Sequence, residues 1–586
     1  MILSNLSYYA ARVLSLVLKG FGLFLRGAVA LFAPADLPEK KLHAHSRGRI
    51  AFAASCALIF FLSVGTKIFF TASSGEAAST ALTGSVRTTA SRADIVDRSG
   101  HVLATNIDTH SLYAHPHQLV NRERTIKELL RIFPDMAEEK LRKDLSAARK
   151  FAWIRRRISP EQMEAVHDIG EPGLLFGKRE MRFYPNENLA SHVLGGYRFG
   201  REGVSNAEII GIAGVEGYFN ELLNDVTRTE PLRLSIDLPT QNTIEDVLAG
   251  GMKMLNAKGA SAVVMEVKSG KIRALASLPD FNPNDRPTPL LQGSPSDSPI
   301  FNRAVQGVYE LGSVFKVFTI AQAIDLGLVS PSTMIDTKGP MKVGRYKIRD
   351  FHDYGDRLSV TNILVESSNI GTARLALAIN TKRQEEFMRE LGMLDPTGLE
   401  VLEAERARPL LPQKWNEISS MTISYGHGLS VSPTHLAAGY ATILGDGHRV
   451  YPTLLEGADA SKGPRVVGEV TSKKMRTMVR EVVKEGTASF ARKTGYSVGG
   501  KTGTADKAKP TGGYYHDRVI ASFAAAVPAD DPEYIVIVNF DEPVDYTLGR
   551  PSRTAGWTAV PIAGEAIRRI GPLLNITYTP EEQNED

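Results

Sequence analysis

Cysteine and metal-binding patterns are almost absent from the sequence. Cys56 is the only cysteine among 586 residues, so no disulfide can form within the chain. It lies in an apolar run, where a small hydrophobic side chain is the ordinary interpretation. The histidines are not grouped at metal-ligand spacings, and no HExxH is present. The sequence therefore predicts neither a metal site nor a cofactor.

An excess of charge of either sign is also lacking. The chain has 69 basic and 65 acidic residues, a net charge of +4, with 43% hydrophobic and 23% charged residues. Nucleic-acid-binding proteins normally concentrate basic charge on one face, so this balance argues against such a partner. The composition is that of a globular protein long enough for more than one core, and it contains no internal repeat.

A long apolar run is present at residues 50–70, IAFAASCALIFFLSVGTKIFF, with Lys67 as its only charge. At about 1.5 Å per residue the run measures about 31 Å, enough to cross a hydrocarbon core of about 30 Å. Its length and the fifty or so residues before it favour an uncleaved transmembrane helix over a signal peptide. Four cations precede it: Lys40, Lys41, Arg47 and Arg49. The positive-inside rule then places the N-terminus in the cytoplasm and residues 71–586 in the periplasm.

Residues 1–49 form a cytoplasmic tail that begins with a second apolar stretch. Arg12, Lys19 and Arg26 recur every seven residues in it, which puts the three cations near one stripe of a helix. A spanning helix would place Lys19 near the middle of the bilayer at a cost of about 2.5–3.5 kcal/mol. An amphipathic helix on the inner leaflet is therefore favoured.

Composition and sequence pattern divide the predicted periplasmic part of the chain into a linker, two domains and a tail. Small polar residues at 71–91 indicate a flexible linker. Residues 92–231 alternate strand, turn and helix patterns without a convincing catalytic set. Residues 232–575 read as strand, helix, hairpin, further helices and late strands, which predicts an α+β domain with helices against an antiparallel sheet. Residues 576–586 are a polar tail.

Local patterns assign several elements. ADIVDRSGHVLATN predicts strand, turn and strand, with the turn at Ser99. ERTIKELLRIFPDMAEEKLRKDLSAA has helical periodicity interrupted by Pro134. A helix is predicted from Thr240 to Leu255, and SAVVMEVKSGKIRALAS predicts a hairpin that turns at Ser269.

The first chemical motif is Ser313-x-x-Lys316 in ELGSVFKVFTIAQAIDLG, the only Ser-x-x-Lys in the chain. On a helix, residues three apart lie on one face. Gly312 allows a sharp turn into that helix, and a serine near its N-terminus gains from the helix dipole. The motif suits a nucleophile and its base, but alone it is more typical of a solvated helix.

The second motif is Ser367-x-Asn369 in VESSNIGTARLAL. A hydroxyl can relay a proton, and an amide can hold a substrate carbonyl or orient a lysine. Serine and asparagine also favour helix caps, which is the commoner interpretation of such a pair by itself.

The third motif, SVGGKTGTA, precedes the strand-like VIASFAAAV and contains Lys501, Thr502, Gly503 and Thr504. A strand edge here would offer N–H groups, hydroxyls and an ammonium to an extended peptide. Gly503 would allow close backbone approach. A second Lys-Thr-Gly begins at Lys493 but lacks the second threonine and the strand, and it is interpreted as a turn.

Together the three motifs supply a nucleophile, a proton acceptor, an oxyanion hole and a cation, the requirements of acyl transfer through a serine. The combination is that of penicillin-binding proteins and serine β-lactamases, usually with aspartate where this chain has Ser368.

The sequence resembles the class B penicillin-binding proteins, and among them the cell-division peptidoglycan D,D-transpeptidases, over nearly all of the exported chain. Besides the motifs, the resemblance rests on RADIVDRSGHVLATN, GIAGVEGYFNELL, NRAVQGVYELGS and YGHGLSVSPTHLAAGYATI. Leu311 departs from the family, which usually has proline before Gly-Ser. We expect the chemistry to remain intact, because this side chain is not a reactive group.

The resemblance implies a transmembrane anchor, a non-catalytic pedestal at 92–231 and a transpeptidase domain, whose antiparallel sheet has helices on both faces plus a helical subdomain. Ser313 would attack the D-Ala-D-Ala carbonyl of a peptidoglycan stem peptide. Lys316 would act as general base, Ser367 would relay the proton to the leaving amine, and Asn369 would position substrate and lysine. β-Lactams would acylate the same serine.

The third motif would complete this site by resemblance. Lys501 would supply the cation that, with burial, lowers the lysine pKa from its ordinary value of about 10.4. Thr502 and Thr504 hydroxyls would bind the substrate carboxylate, with Gly503 between them. Backbone N–H groups of Ser313 and Thr504 would form the oxyanion hole. A SEDS-type glycosyltransferase and other divisome proteins would be the partners.

Other functions use the same residues. A D,D-carboxypeptidase or a β-lactamase would pass the acyl group to water, although the pedestal argues against a small secreted β-lactamase. Residues 71–230 are too short for the glycosyltransferase module of a class A enzyme. An elongation-type class B enzyme and a non-enzymatic β-lactam sensor stay open. The compact pedestal favours division, and the short cytoplasmic tail disfavours a sensor.

Overall fold

The computed structural model describes residues 92–579, apart from 204–206, 345, 460–461, 510–511 and 548, together with residues 56, 57, 61 and 63. The predicted tail, transmembrane helix and linker lie outside the described residues, apart from those four positions. Among the described residues, no helix has both the length and the apolar character that a membrane span requires. The described chain covers both predicted periplasmic domains, at 92–231 and 232–575.

The first of these domains is built around one long strand, β2, which pairs antiparallel with β1, β3 and β4. The predicted strand, turn and strand are β1 and β2, and the helical run breaks near Pro134 as expected. The elements are β1 (Ile95–Val96), β2 (Val102–Ala114), α1 (Arg122–Ile132), α2 (Glu138–Asp144), β3 (Ala152–Ile158), α3 (Pro160–His167) and β4 (Leu174–Phe183).

The domain has a small core of its own where α1, α2 and α3 pack against β2, β3 and β4. Leu112 and Leu129 are fully buried there, and Phe133 closes the end of α1. The chain then continues through α4 (Ser191–Leu194), β5 (Gly196–Glu202), β6 (Ala207–Ala213), α5 (Gly214–Tyr218), α6 (Asn220–Leu223) and β7 (Leu232–Arg233). Because β7 pairs parallel with β1, it ties this domain to the one that follows.

The second domain contains a five-stranded sheet in the order β14-β15-β16-β8-β9, with every neighbouring pair antiparallel. The strands are β8 (Gly259–Glu266), β9 (Ile272–Leu278), β14 (Gly499–Ala508), β15 (Tyr514–Val527) and β16 (Tyr534–Asp541). Successive strand residues point to opposite faces, and every residue of β9 and β16 is buried. Both faces of the sheet are therefore covered, and the predicted α+β fold is confirmed.

The helices that cover the sheet include the predicted one, observed as α7 (Leu238–Met254), which packs on β9 and on α15 (Ala559–Leu573). It starts two residues before the predicted Thr240 because Asp237 caps it, accepting the Thr240 N–H at 3.0 Å. Pro239 fits in that first turn, where no N–H is needed. The hairpin predicted at Ser269 is β8 and β9.

A mainly helical region lies between β9 and β14 in the chain. Its helices are α8 (Lys316–Asp325), α9 (Val360–Val365), α10 (Asn369–Ile379), α11 (Thr381–Glu390), α12 (Glu417–Ser424), α13 (Pro433–Leu444) and α14 (Glu469–Glu485). Two short ribbons, β10 (Met334–Asp336) with β13 (Arg357–Ser359) and β11 (Met341–Val343) with β12 (Tyr346–Ile348), interrupt it. Helix α14 packs on β14, and this contact connects the helical region to the edge of the sheet.

Candidate active site

Ser313 lies in a 3-10 turn, Gly312–Phe315, directly before α8. The predicted helix therefore begins at Lys316, and Ser313 occupies the tighter turn ahead of it. Gly312 has φ +63°, in the left-handed region that favours glycine, and its N–H donates to the carbonyl of Gly426 at 3.1 Å. Ser313 is only half-buried, whereas its neighbours Gly312 and Val314 are buried.

Lys316 is fully buried at the first position of α8, with 0% exposure. Its Nζ donates to the Ser367 carbonyl and to Ser367 Oγ, the latter at 3.0 Å. The structure thus brings the first two motifs together, although 51 residues separate them in the chain.

Burial is the main reason that the Lys316 pKa lies well below its ordinary value of 10.5. The positive charge of Lys501 lowers this pKa further, and the negative charge of Asp350 partly opposes the decrease. A neutral amine can accept a proton from a hydroxyl, whereas an ammonium group cannot. The lowered pKa of Lys316 favours the neutral form that a base requires.

The second motif lies in the connection between α9 and α10, and its three residues have different environments. Ser367 has φ +63° and contacts Lys316. Ser368 is buried and caps α10, accepting the Gly371 N–H at 3.0 Å. The Asn369 side chain donates to the Arg349 carbonyl at 3.0 Å, a contact that fastens the preceding loop rather than the lysine.

The third motif occupies β14, at one end of the strand order, and it packs directly against the turn that carries Ser313. A Cβ atom added to Gly503 would lie 2.2 Å from the Leu311 carbonyl oxygen. One added to Gly312 would lie 2.8 Å from the Thr504 carbonyl oxygen. Real Cβ atoms do not approach backbone so closely, so glycine at these two positions permits the contact between strand and turn.

Lys501 is the second fully buried lysine of the site. Burial lowers its pKa from the ordinary 10.5 to about 7. Its Nζ donates to the carbonyl of Thr502 at 3.1 Å and to the hydroxyl of Thr502 at 3.3 Å, both of them neutral groups. Burial therefore favours the neutral form of this amine.

The two threonine hydroxyls of the third motif already have partners. Thr502 Oγ1 lies 2.7 Å from Thr487 Oγ1, and Thr504 Oγ1 accepts the Ala555 N–H at 2.9 Å. Because an N–H group fills one lone pair of Thr504, its own O–H proton remains available to an anionic ligand. Sequence reasoning missed both Thr487 and Ala555.

Asp350 is a third residue that the sequence analysis missed. It follows β12, and its carboxylate accepts hydrogen bonds from the Ser368 hydroxyl at 2.6 Å and from the Asn369 N–H at 2.6 Å. The only available signal was indirect, namely that Ser368 stands where the motif usually carries an aspartate.

The competing Lys-Thr-Gly at Lys493 belongs to a different local structure. It ends a 3-10 turn, Ser489–Thr494, and Gly495 follows with φ +80°. Lys501–Thr504, by contrast, is regular strand paired with β15. The backbone therefore agrees with the interpretation of the Lys-Thr-Gly at Lys493 as a turn.

A half-buried serine, a buried lysine of lowered pKa, a serine hydroxyl that contacts this lysine and the edge strand β14 form a set suited to acyl transfer. Two family models match the chain. The penicillin-binding protein transpeptidase domain matches residues 260–565, and the penicillin-binding protein dimerisation domain matches residues 87–228.

Curated relatives agree with these matches. The chain is 34% identical over 506 residues to the probable peptidoglycan D,D-transpeptidase FtsI of Caulobacter vibrioides, covering 84% of this chain and 82% of the relative. It is 31% identical over 514 residues to the probable peptidoglycan D,D-transpeptidase PenA of Neisseria meningitidis serogroup A, covering 83% and 84%. To the peptidoglycan D,D-transpeptidase FtsI of Escherichia coli K12 it is 28% identical over 489 residues, covering 77% and 79%. The chain therefore belongs to the class B penicillin-binding proteins.

Proposed function

We propose that this penicillin-binding protein is a peptidoglycan D,D-transpeptidase that cross-links stem peptides at the division septum, with Ser313 as its nucleophile. The observation that carries the proposal is the buried Lys316, whose Nζ reaches Ser367 at 3.0 Å and whose pKa is lowered by burial and by Lys501. A lysine in this state has no evident structural use, because burying a cation without a paired carboxylate destabilises a fold.

In the first half-reaction the Ser313 hydroxyl attacks the carbonyl of the penultimate D-alanine. Its proton passes to Lys316 as the ester bond forms. The bond to the terminal D-alanine then breaks, and the proton reaches the leaving amine through Ser367. In the second half-reaction an amine of another stem peptide attacks the ester, an amide forms, and its proton returns to Ser313.

The strand edge of β14 would hold the donor peptide during these steps. The N–H groups of Ser313 and Thr504 would stabilise the tetrahedral oxyanion, a contribution of about 3–4 kcal/mol per donor by mutation. Support for this assignment comes from the packing of Gly503 and Gly312, which sets strand and turn side by side. Thr502 and Thr504 hydroxyls, with the Lys501 charge, would bind the terminal carboxylate. Asn369 would position the substrate.

Location and partners are part of the proposal. The chain would be held in the bacterial inner membrane by one helix at 50–70, with residues 1–49 in the cytoplasm and the pedestal and transpeptidase domains in the periplasm. A SEDS-type glycosyltransferase and other divisome proteins would act with it. The names of the Caulobacter and Escherichia relatives support the division role over elongation.

The nucleophile is tested by labelling the full chain with a fluorescent β-lactam. Ser313→Ala should abolish covalent labelling while the unfolding midpoint stays unchanged. Lys501→Ala should weaken acylation, whereas the matched control Lys493→Ala should not. Full labelling of the serine variant would overturn the nucleophile, and equal behaviour of the two lysine variants would overturn the choice between the two motif copies.

The cellular role is tested by depletion. Cells that lose a septal transpeptidase continue to elongate, so we expect filaments. Swollen, round cells would instead assign the protein to elongation. Donor turnover to a free acid at an undiminished rate without any amine acceptor would favour a D,D-carboxypeptidase.

A further inference from the structure

A group of polar and aromatic side chains beside the nucleophile has no role in the steps described so far. Glu310 lies three positions before Ser313, and residues 425–428 form a strap across the same turn. The Gly312 N–H donates to the Gly426 carbonyl at 3.1 Å. A Cβ atom added to Gly426 would lie 1.9 Å from the Gly312 carbonyl oxygen. The strap is therefore packed directly on the turn that carries the nucleophile.

The Glu310 carboxylate has one oxygen in use and one without a partner. Its Oε1 accepts the Gly428 N–H at 2.7 Å and the Tyr514 hydroxyl at 3.0 Å. Its Oε2 is buried and has no hydrogen-bond partner among the described residues. Leaving a charged acceptor unsatisfied is costly. The free oxygen therefore suits a ligand that brings a cationic donor.

His427 of the strap has an unpartnered atom as well. Its Nδ1 is buried and makes no hydrogen bond within the described part of the chain. Its ring contacts Tyr425 and Tyr514, with centroid distances of 5.6 Å and 6.2 Å. Tyr514 is 38% exposed, so the cluster reaches the solvent. Aromatic faces attract an ammonium ion within about 6 Å, and Nδ1 can accept a proton in the tautomer protonated at Nε2.

We propose that Glu310, Tyr425, His427 and Tyr514 bind the protonated amine of the acceptor stem peptide. The proposal rests on the transpeptidase function proposed above, and it specifies a primary amine that arrives as an ammonium ion. Burial and the negative charges of Glu310 and Asp506 raise the pKa of Tyr514, so both carboxylates lie near this ring. This charge is complementary to an ammonium ion.

The cluster also gives the second half-reaction a place for the surplus proton. A lysine-type amine, with an ordinary pKa of about 10.4, is protonated at neutral pH and cannot attack an ester. Held by Glu310 Oε2, the ammonium transfers one proton to His427 Nδ1. The amine then attacks the ester carbonyl, the C–N bond forms and the C–O bond to Ser313 breaks. A second nitrogen proton passes through Lys316 to the Ser313 oxygen, and His427 releases its proton to solvent.

The test follows the fate of one acyl-enzyme. A D-alanyl thioester acylates the full chain, and Nα-acetyl-lysine competes for the acyl group with hydroxylamine, which is uncharged at neutral pH. The ratio of lysine amide to hydroxamate does not depend on the acylation rate. Glu310→Gln keeps an oxygen for the Gly428 N–H but loses the charge. It should lower the ratio about tenfold, as expected for loss of a charged hydrogen bond.

A second variant and a control make the test specific. His427→Phe keeps a ring against Tyr514 and removes Nδ1, so it should also lower the ratio. The matched control is Glu417→Gln, an exposed carboxylate at the start of α12, which should leave the ratio at the parental value. An unchanged ratio in either folded site variant, or an equal fall in the control, would overturn the proposal. Loss of labelling in Ser313→Ala tests the nucleophile alone, so failure of the proposed function is seen separately.

Discussion

Two clusters of buried cationic side chains in this protein differ in whether a carboxylate lies beside them. In the pedestal, Arg92 and Arg182 lie on either side of Glu216, and all three side chains are at most 1% exposed. In the transpeptidase domain, Lys316 and Lys501 are buried beside neutral oxygens. The first arrangement holds segments of the chain together, and the second makes amines with low pKa values.

The pedestal cluster satisfies its carboxylate completely. One Glu216 oxygen accepts from Arg92 at 2.7 Å, and the other accepts from Arg182 Nε at 2.6 Å and from the Tyr184 hydroxyl at 3.3 Å. Arg92 donates as well to Asn224 at 2.8 Å. These contacts tie the start of β1 to β4 and α5, three segments that are distant in the chain.

Neither Lys316 nor Lys501 has such a partner: their hydrogen bonds go to neutral oxygens. Burial lowers the Lys501 pKa to about 7, and burial together with the Lys501 charge lowers the Lys316 pKa. Buried cations of this kind cost stability and are retained where chemistry needs them. In these two clusters, a buried cation with a carboxylate partner has a structural role, and buried amines without one form the candidate active site.

The largest expected effect comes from removing the side-chain amine of Lys316, the proposed base. Lys316→Met should reduce acylation by a β-lactam about a hundredfold to ten-thousandfold, the usual contribution of a general base. The free energy of unfolding should not fall, because an apolar side chain of similar length replaces a desolvated amine. Exposed Lys382→Met is the control, with neither quantity changed. A large loss of stability in Lys316→Met would show that this lysine stabilises the fold, as the arginines of the pedestal do.

Removal of the pedestal carboxylate should act on stability alone. Glu216→Ala leaves two buried guanidinium groups without their anion, so the free energy of unfolding should fall by about 3–5 kcal/mol. Chemical denaturation of the full chain measures this loss. Acylation per labelled site, and its pH profile, should match the parent chain in the protein that remains folded. A shifted pH profile would show that the two regions are coupled.

The burial of Lys501 should also make stability depend on pH. The Lys501 pKa is about 7 in the folded chain and 10.5 without burial, so the unfolded chain binds more protons between these values. Stability should therefore rise as pH increases through this window, by at most about 1.4 kcal/mol for each unit of pKa shift. Lys501→Met should flatten the rise when unfolding is measured from pH 7 to 10. An equally steep rise in the variant would contradict the buried state of Lys501.

The smallest effect is expected where pairing occurs without burial. Arg142 bonds both oxygens of Glu123 at 2.7 Å, yet the two side chains are 45% and 69% exposed. Solvent screens such pairs. Glu123→Gln should leave both the unfolding midpoint and acylation unchanged within error. A clear destabilisation would mean that pairing alone, without burial, separates the two regions.

Features with short-range signals could be predicted well from the sequence. The β8–β9 hairpin, the break of the first helical run near Pro134 and the strand that follows the third motif all depend on neighbouring residues. The proximity of Ser313 and Lys316 could also be predicted, because the two residues are three positions apart in one turn of the chain. The helix was predicted to include Ser313, but the close approach of Thr504 to Gly312 accompanies a tighter 3-10 turn there.

Partners from distant segments could not be predicted. Thr487 beside Thr502 and Ala555 beside Thr504 belong to no motif, and their contacts exist only because α14 and the chain before α15 pack near β14. The contact of Asp350 could not be predicted either, since Asp350 lies 18 positions before Ser368, with loop, ribbon and helix between them.

The sequence by itself determined the family, the α+β class and the candidate residues, because residue type and local spacing carry that information. Only the tertiary structure decided which of those residues meet and in which direction the pKa values of the two lysines shift. Lys316 reaches Ser367 across 51 positions, and Lys501, from a strand late in the chain, lies close enough to Lys316 for its charge to lower the pKa of that lysine. The pKa of an amine depends on solvent access and on neighbouring charges, and neither exists until the chain has folded.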